Sequence, residues 1–465
     1  MTKKRRLCME RAIPALLILI LLFCLITYFI VKSFTYTPQR EPSLSTSVTP
    51  TETTSEKAAL LLDEDIYAVL EKIGGGELLQ RPVTADFLKF HNDNTDPEFV
   101  KKLQNRLTDN SFYNGMFYEL FGSSLIVLSD IYTRSIDSNI ISLKNTGKPS
   151  VLGFTGDVNL DDNWAMMQFF NTQPNGLSDC ISQPLTDRMR AADILLVNNE
   201  FSMSDRGSAM AGKQYTFRAK TENVKYLIEM GTDIVSVANN HVFDYGEDAF
   251  YDTLETLTNS GIKYVGAGRN IEEAMKPQYY IINGVKIAYV AASRAEKFIM
   301  TPEAKTDSPG ILRTYDSKLL LETVKNAKAN ADIVIAYVHW GTEGSYVLED
   351  AQTTLARDLI DAGADIIIGA HPHNLQGIEY YNDKPIVYSL GNFWFNDKSV
   401  ETVLLEVNVS SPSDILLVFQ PCMQTGCRTT LLFDEADRSQ VFDLLTEISP
   451  GKKIAIDENG LLIKK

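Results

Sequence analysis

Four of the chain's five histidines stand in short polar clusters: His241 in "ANNHVFD", His339 in "VHWG", and His371 with His373 in "GAHPH". Two carboxylates occupy similar clusters, Asp157 in "TGDVN" and Glu200 in "NNE", together with the amides Asn159 and Asn240. Imidazole nitrogen mixed with carboxylate oxygen suits a divalent ion such as Mn, Fe or Zn, whereas an all-oxygen set would favour Mg or Ca. Residues two apart in an extended segment point the same way, so His371 and His373 can reach one site, each toward a different ion. Two ions ~3.5–4 Å apart acidify a bridging water and clamp the attacking and leaving oxygens of a hydrolysis. Glu200 would be the bridging carboxylate. His241 would give a proton to the leaving group, with Asp244, three residues on, to orient it. Each residue also has a plainer use. A strand-end Asp is often a helix cap, and Asn is a common turn residue. Their concurrence is what points to one or two divalent metal ions.

The clusters share a position. Each ends a short apolar run: "VLGFTGD", "ILLVNNE", "DIVSVANNH", "DIVIAYVHWG", "DIIIGAHPH", "PIVYSLGNFWF". Helical stretches such as "TENVKYLIEMG", "KLLLETVKNAKANA" and "TTLARDLIDAGA" lie between several of them. Continuous β-branched runs alternating with helices imply βαβ units whose strands are buried on both faces. In such sheets ligands bind beyond the carboxyl ends of the strands, where the clusters fall. No G-x-G-x-x-G or G-x-x-x-x-G-K-[ST] loop ends a strand, so nucleotide binding through those loops is unsupported. Arg218 in "TFRAK" can hold an anionic substrate group bidentately or serve a surface ion pair. Trp340 and Trp394 flank the clusters, as pocket walls or as core.

Segments ahead of this domain have other textures. Residues 1–11 are basic, and residues 12–31, "AIPALLILILLFCLITYFIV", carry no charge. About 20 apolar helical residues cross a bilayer, and the basic flank would keep the N-terminus cytoplasmic and send the rest outward. The alternative, a cleaved signal peptide, has a shorter apolar region and small residues at its cut site. Residues 32–57 are rich in Ser, Thr and Pro and read as a flexible linker. Residues 58–148 show i, i+3, i+4, i+7 apolar spacing at Ile66, Val69, Leu70 and Ile73 and are expected to be mostly helical. His91, in "FHNDNTD", reads as a solvated loop residue. The α/β domain is expected over 149–410, with 411–465 a C-terminal extension packing on it. A formal net charge of −16 argues against sequence-independent nucleic-acid binding. Cys422 and Cys427, in "PCMQTGC", would either close a disulfide across a tight loop or stay free.

The order D…E…NH…H…HxH resembles the calcineurin-like metallophosphoesterase superfamily, whose motifs read D-x-H, G-D-x-x-D, G-N-H-[DE], H and G-H-x-H. The stretches "FTGDVNL", "VNNEFSM", "GTDIVSVANNHVFDYGEDAF", "VGAGRNIEEAMKP" and "GAHPHNLQGIEYYNDKPIVYSLGNFWF" resemble the poly-γ-glutamate capsule-synthesis (CapA) family over about residues 150–410. That resemblance implies a four-layer metallophosphatase-like α/β sandwich in a membrane-anchored, extracytoplasmic protein of cell-surface polymer synthesis or export. Implied partners are an anionic polymer such as poly-γ-glutamate and other membrane subunits of the apparatus. The superfamily pattern gives one metal to Asp157 and His373, a second to Asn240, His339 and His371, and shares Glu200. Asn159 replaces the His of D-x-H, and Glu200 the Asp of G-D-x-x-D. An amide is a weak neutral ligand, so the first ion would be loosely held or absent. Two functions therefore stay open: a divalent-metal-dependent hydrolase, or a non-catalytic polymer-binding or scaffolding subunit.

Overall fold

In the computed structural model, residues 140–142, 148–296 and 301–465 are described. The basic tail, the expected anchor, the linker and nearly all of the expected helical region lie outside the described residues. Among the described residues no helix is long and apolar enough to cross a membrane.

Fifteen strands position the site. They are β1 (Ile140–Ser142), β2 (Ser150–Val158), β3 (Ile194–Asn199), β4 (Ile234–Ser236), β5 (Lys263–Val265), β6 (Gln278–Ile282), β7 (Val285–Ser293), β8 (Ile333–His339), β9 (Ile366–Ala370), β10 (Leu375–Tyr381), β11 (Lys384–Leu390), β12 (Asn392–Trp394), β13 (Val400–Ser411), β14 (Asp414–Thr425) and β15 (Arg428–Leu431). One sheet runs β1-β6-β7-β8-β9-β11-β10. The other runs β15-β14-β13-β2-β3-β4-β5, with β12 alongside β2. Strands β7, β8, β9 and β11 are mutually parallel, as are β2 to β5. Antiparallel strands finish both sheets. Within 58–148, expected to be mostly helical, Ile140–Ser142 is a strand paired parallel to β6.

Apolar side chains fill three bands. Ile194 and Leu196 of β3 meet Ile335 and Tyr337 of β8 between the sheets. Leu195 and Val197 of β3 point the other way, under the helices Gln183–Ala191 (α1), Val224–Met230 (α2) and Glu247–Asn259 (α3). Val334, Ala336 and Val338 of β8 pack beneath Lys318–Lys328 (α4) and Asp350–Ala362 (α5). The layers are thus helix, sheet, sheet, helix. Both faces of the central strands are covered, so "ILLV" and "IVIAYV" need no polar alternation. Truncating such a residue, Ile335→Ala for example, removes about 2–5 kcal/mol. Beyond residue 411 the chain is integral to the fold: β14 and β15 extend one sheet, and Glu435–Ile448 (α6) buries Val441, Phe442 and Leu445 in the inter-sheet band.

A repeated aspartate locks the register. Asp193, Asp233, Asp332 and Asp365 each stand one residue ahead of a parallel strand. In every case the backbone N–H donates to a carbonyl of the neighbouring strand (Val151, Leu195, Lys286 and Val334), at 2.8, 3.1, 2.8 and 2.8 Å. The side chain then accepts from the N–H of that same residue, at 2.8, 2.8, 2.8 and 2.9 Å. The sequence pattern [AT]-D-I thus marks the amino end of each strand. The carboxyl ends are braced differently. Asp157 N–H donates to Gly391 O at 3.0 Å, and the backbones approach so closely there that a Cβ on Gly156 would lie 1.8 Å from that oxygen. Cys422 and Cys427 are buried free thiols, so of the two readings only the second holds. Burial pushes the Cys422 thiol up to about 12, which leaves it unreactive.

Candidate metal centre

The polar clusters converge at the carboxyl ends of both sheets. Asp157 is the next-to-last residue of β2, Glu200 follows β3, and Asn240 and His241 follow β4. His339 ends β8, and His371 and His373 follow β9. Two trios bring one ligand atom from each member within 4.8 Å of the others: Glu200, His339 and His371, and Asp157, Glu200 and His373. Glu200 belongs to both. His339 Nε2 lies 2.8 Å from Asn240 Oδ1 and 3.4 Å from Glu200 Oε1, so the Asn240 oxygen joins the first trio. His373 Nδ1 lies 3.2 Å from Asp157 Oδ2 and 2.8 Å from Asn392 Oδ1.

The histidine pair does not converge as an extended segment would. His371 has φ 97° and His373 has φ 59°, both left-handed. Such backbone costs about 1–3 kcal/mol in a non-glycine residue and persists only where its surroundings impose it. The turn sets the two rings 6.0 Å apart, with His371 also 4.6 Å from His339.

The electrostatics are those of a dry cation pocket. Glu200 and His339 are fully buried. Burial, then the charge of Asp157, pushes Glu200 well above the usual carboxylate range. Burial would raise Asp157 too, but the hydrogen bond and charge of His373 hold it below its ordinary value. Burial and the neighbouring imidazoles push His339 and His371 well down, leaving them neutral with lone pairs to donate. Burial opposes the charged form of His373, yet its bond to Asp157 holds it above the ordinary histidine value. Glu200 Oε1 and His371 Nδ1 are buried without a hydrogen-bond partner. Each such orphan costs about 1–3 kcal/mol, and a divalent ion would relieve both. The donor set therefore fits a divalent ion.

Beside the trios, His241 Nδ1 lies 2.6 Å from Asp244 Oδ2. That oxygen also accepts from Phe217 N–H at 2.7 Å, while Oδ1 pairs with Lys213 Nζ at 2.8 Å. The Lys213 side chain is buried, pairs with Glu296 Oε1 at 2.7 Å and donates to Asn240 O. Asn239 Oδ1 caps the turn by accepting from His241 N–H and Val242 N–H, both at 3.0 Å. Phe217 and Phe395 cover His241 and His373, each with centroids 4.4 Å apart.

Two expected residues are engaged elsewhere. Asn159 is buried, but its carbonyl oxygen accepts from Asp161 N–H at 2.8 Å, and the Nδ2 left over, which lacks a partner, cannot ligate a cation. Arg218 donates to the carbonyls of Arg206 and Gly207 and stacks 4.2 Å over Tyr245. Trp340 and Trp394 are fully buried and donate to backbone carbonyls at 2.9 and 3.1 Å, as core residues do. Sequence reasoning passed over Asn198, which donates to Asp157 at 2.7 Å and lies 3.3 Å from both Glu200 and His339. Strand alternation was the available signal, since Asn198 and Glu200 are two apart. Asn392 follows the apolar run "PIVYSLG" and was equally legible. Lys213, in "AGKQY", had no local signal.

The sequence model of a family described as "Bacterial capsule synthesis protein PGA_cap" matches residues 151–397. The chain is 37% identical over 221 residues to the PGA biosynthesis protein CapA of Bacillus subtilis, covering 47% of this chain and 57% of that one. It is 33% identical over 245 residues to the capsule biosynthesis protein CapA of Bacillus anthracis, covering 51% and 59%. The match thus spans less than two thirds of these curated relatives. Among solved structures, the Haemophilus influenzae NAD nucleotidase aligns with 12% identity and TM-score 0.34, over 64% of this chain and 62% of that one. The 5'-nucleotidase of Candida albicans aligns with 12% identity and TM-score 0.33, over 68% and 56%. Similarity at that level carries no argument about this chain. The family match alone covers more than half of the sequence and runs from β2 to just past β12, and on that basis the chain belongs to the bacterial capsule synthesis protein PGA_cap family.

Proposed function

We propose that this chain is a membrane-anchored, extracytoplasmic hydrolase, dependent on divalent metal, that acts on an anionic cell-surface polymer during its synthesis or export. The observation that carries the hydrolytic reading is the sharing of Glu200 between two trios, buried except for the part-exposed His373. The polymer comes from the printed names of the relatives, which are PGA and capsule biosynthesis proteins, and the anchor from residues 12–31. Asp157, Glu200 and His373 would hold one ion; Glu200, His339, His371 and Asn240 would hold the other. Ions of the Mn, Fe or Zn class, held there, would supply Lewis acidity and lower the pKa of water. The chain's own groups do the rest. Asp244 accepts from His241 Nδ1 and fixes the ring, leaving Nε2 to hand a proton to the leaving group. Lys213 holds Asp244 in place.

One observation favours the second reading, a non-catalytic polymer-binding or scaffolding subunit. With the Asn159 oxygen bonded to Asp161, the Asp157 trio lacks a fourth protein donor from that position. Full-length protein, purified in detergent, separates the two. Hydrolysis predicts two ions per chain and release of product from poly-γ-glutamate or a phosphodiester with added Mn²⁺ or Zn²⁺, abolished in His241→Ala with metal content intact. A subunit that only handles polymer predicts unchanged capsule output in a His241→Ala strain.

A further inference from the structure

A cavity lies apart from the metal cleft and shares no residue with it. It occupies about 260 Å³ beneath the end of α3, where β5 and β6 begin. Lys263, Arg269 and Lys276 line it, with Glu273 as its one acid. Glu273 is already engaged. Its Oε1 accepts from Tyr264 Oη at 2.5 Å and from Arg269 Nη1 at 3.0 Å, and its Oε2 from Arg269 N–H at 2.9 Å. Arg269 and Glu273 therefore cancel, and the cavity keeps the charge of two lysines. No hydrogen bond or ion pair engages either ammonium among the described residues. Lys263 is half-buried, and that burial together with the charge of Lys276 works against its charged form.

Two unneutralised cations in one recess are out of keeping with a chain of net charge −16. Lys263 is half-buried and Lys276 is exposed at the rim, and the repulsion of Lys276 on the half-buried ammonium is a cost that a bound anion removes. We propose that Lys263 and Lys276 form a binding site for a multiply charged oxyanion, a phosphate or a pair of neighbouring carboxylates, separate from the metal cleft. The cavity's volume of about 260 Å³ accommodates a phosphate or one or two acidic side chains of a longer chain. Gln278 lines the same recess, with its amide nitrogen donating to Tyr279 O at 3.0 Å. Of the two sources, the carboxylates of a γ-linked glutamate chain follow from the polymer proposed above, and that choice rests on that reading. The site itself does not. A polyanion held here would be retained by an acidic protein without occupying the metal centre.

Isothermal titration of the full chain in detergent, at low salt and with EDTA to silence the metal cleft, tests this. The titrants are inorganic phosphate and a γ-linked glutamate oligomer, against wild type and Lys263→Gln/Lys276→Gln. The expected result is saturable binding of the oligomer that weakens about tenfold for each lysine removed, the loss of one charge-assisted contact apiece. A near-unchanged melting temperature and circular dichroism would show that the double variant folds. Binding of phosphate alone, with the same weakening, supports the anion site and removes the polymer as its source. Absence of saturable binding by either titrant, or binding of equal strength in the double variant, overturns the proposal. Either result leaves the metal-hydrolase reading to its own test.

Discussion

Replacing Asp233 by Asn should stabilise this protein at pH 8 and not at pH 4. Asp233 bonds Leu195 at the amino end of the β3–β4 pair. Burial, with the charge of Asp193 adding to it and the bond from Leu195 N–H opposing, pushes its carboxyl from 3.8 up to about 6. The folded state thus binds the proton more tightly than the unfolded chain. Stability contributed by that proton is fully present below about 3.8 and is lost as pH rises through about 6. Each pH unit of that gap is worth about 1.4 kcal/mol, so ionised Asp233 costs the folded state about 3 kcal/mol at pH 8. Asn keeps an acceptor oxygen for Leu195 N–H but not its charge, which gives back about 1 kcal/mol. The net gain at pH 8 is therefore about 2 kcal/mol, and at pH 4 about zero or slightly negative. Urea denaturation of both proteins at the two pH values measures the difference, in which the titration of other groups cancels. Asp365→Asn is the control. That carboxylate makes the same pair of bonds but is held by Lys328 and Lys384, each at 2.8 Å, so its loss should destabilise. An Asp233→Asn effect of equal size at pH 4 and pH 8 would refute the reasoning.

Lys213→Met leaves Asp244 and Glu296 facing each other without their shared cation; a loss of about 3–5 kcal/mol is expected, with partial recovery in Lys213→Arg, read by denaturation. Glu200→Gln should lower bound Mn or Zn at both trios, to below one ion per chain by elemental analysis, whereas His339→Ala should lower it at one. Chelation should reduce the melting temperature and added Mn²⁺ or Zn²⁺ restore it, since ligand at about 1,000 times its dissociation constant stabilises by about 4 kcal/mol; a melting temperature indifferent to metal would count against both trios.

Much of the domain could be read from the chain because its strands are covered on both sides. "ILLVNNE" is uninterrupted since Ile194 and Leu195 each meet a different apolar band, and its polar end falls where the sheet stops. Whatever depended on distant partners could not be read. The H-x-H backbone is left-handed at both histidines, which no local rule assigns to non-glycine residues. Arg218 looks like an anion clamp in sequence, but its Nη1 donates to two carbonyls of the Arg206–Gly207 loop. Lys213 became visible only when loops far apart in the chain came together around it. Strand β14, read as part of an extension packing on the domain from residue 411, pairs with β13 and so extends the β2 sheet.

The close passage of Gly156 beneath the Gly391 carbonyl couples things that would otherwise vary separately. The residue after Gly156 is Asp157, and the residue after Gly391 is Asn392, which meets His373. A single methyl group at Gly156 would force β2 and the β11–β12 turn apart and carry an acid and a histidine's amide partner with them. Drift at this crossing is therefore penalised twice, once in folding and once in cation affinity, so substitutions here would have to arise as compensating pairs.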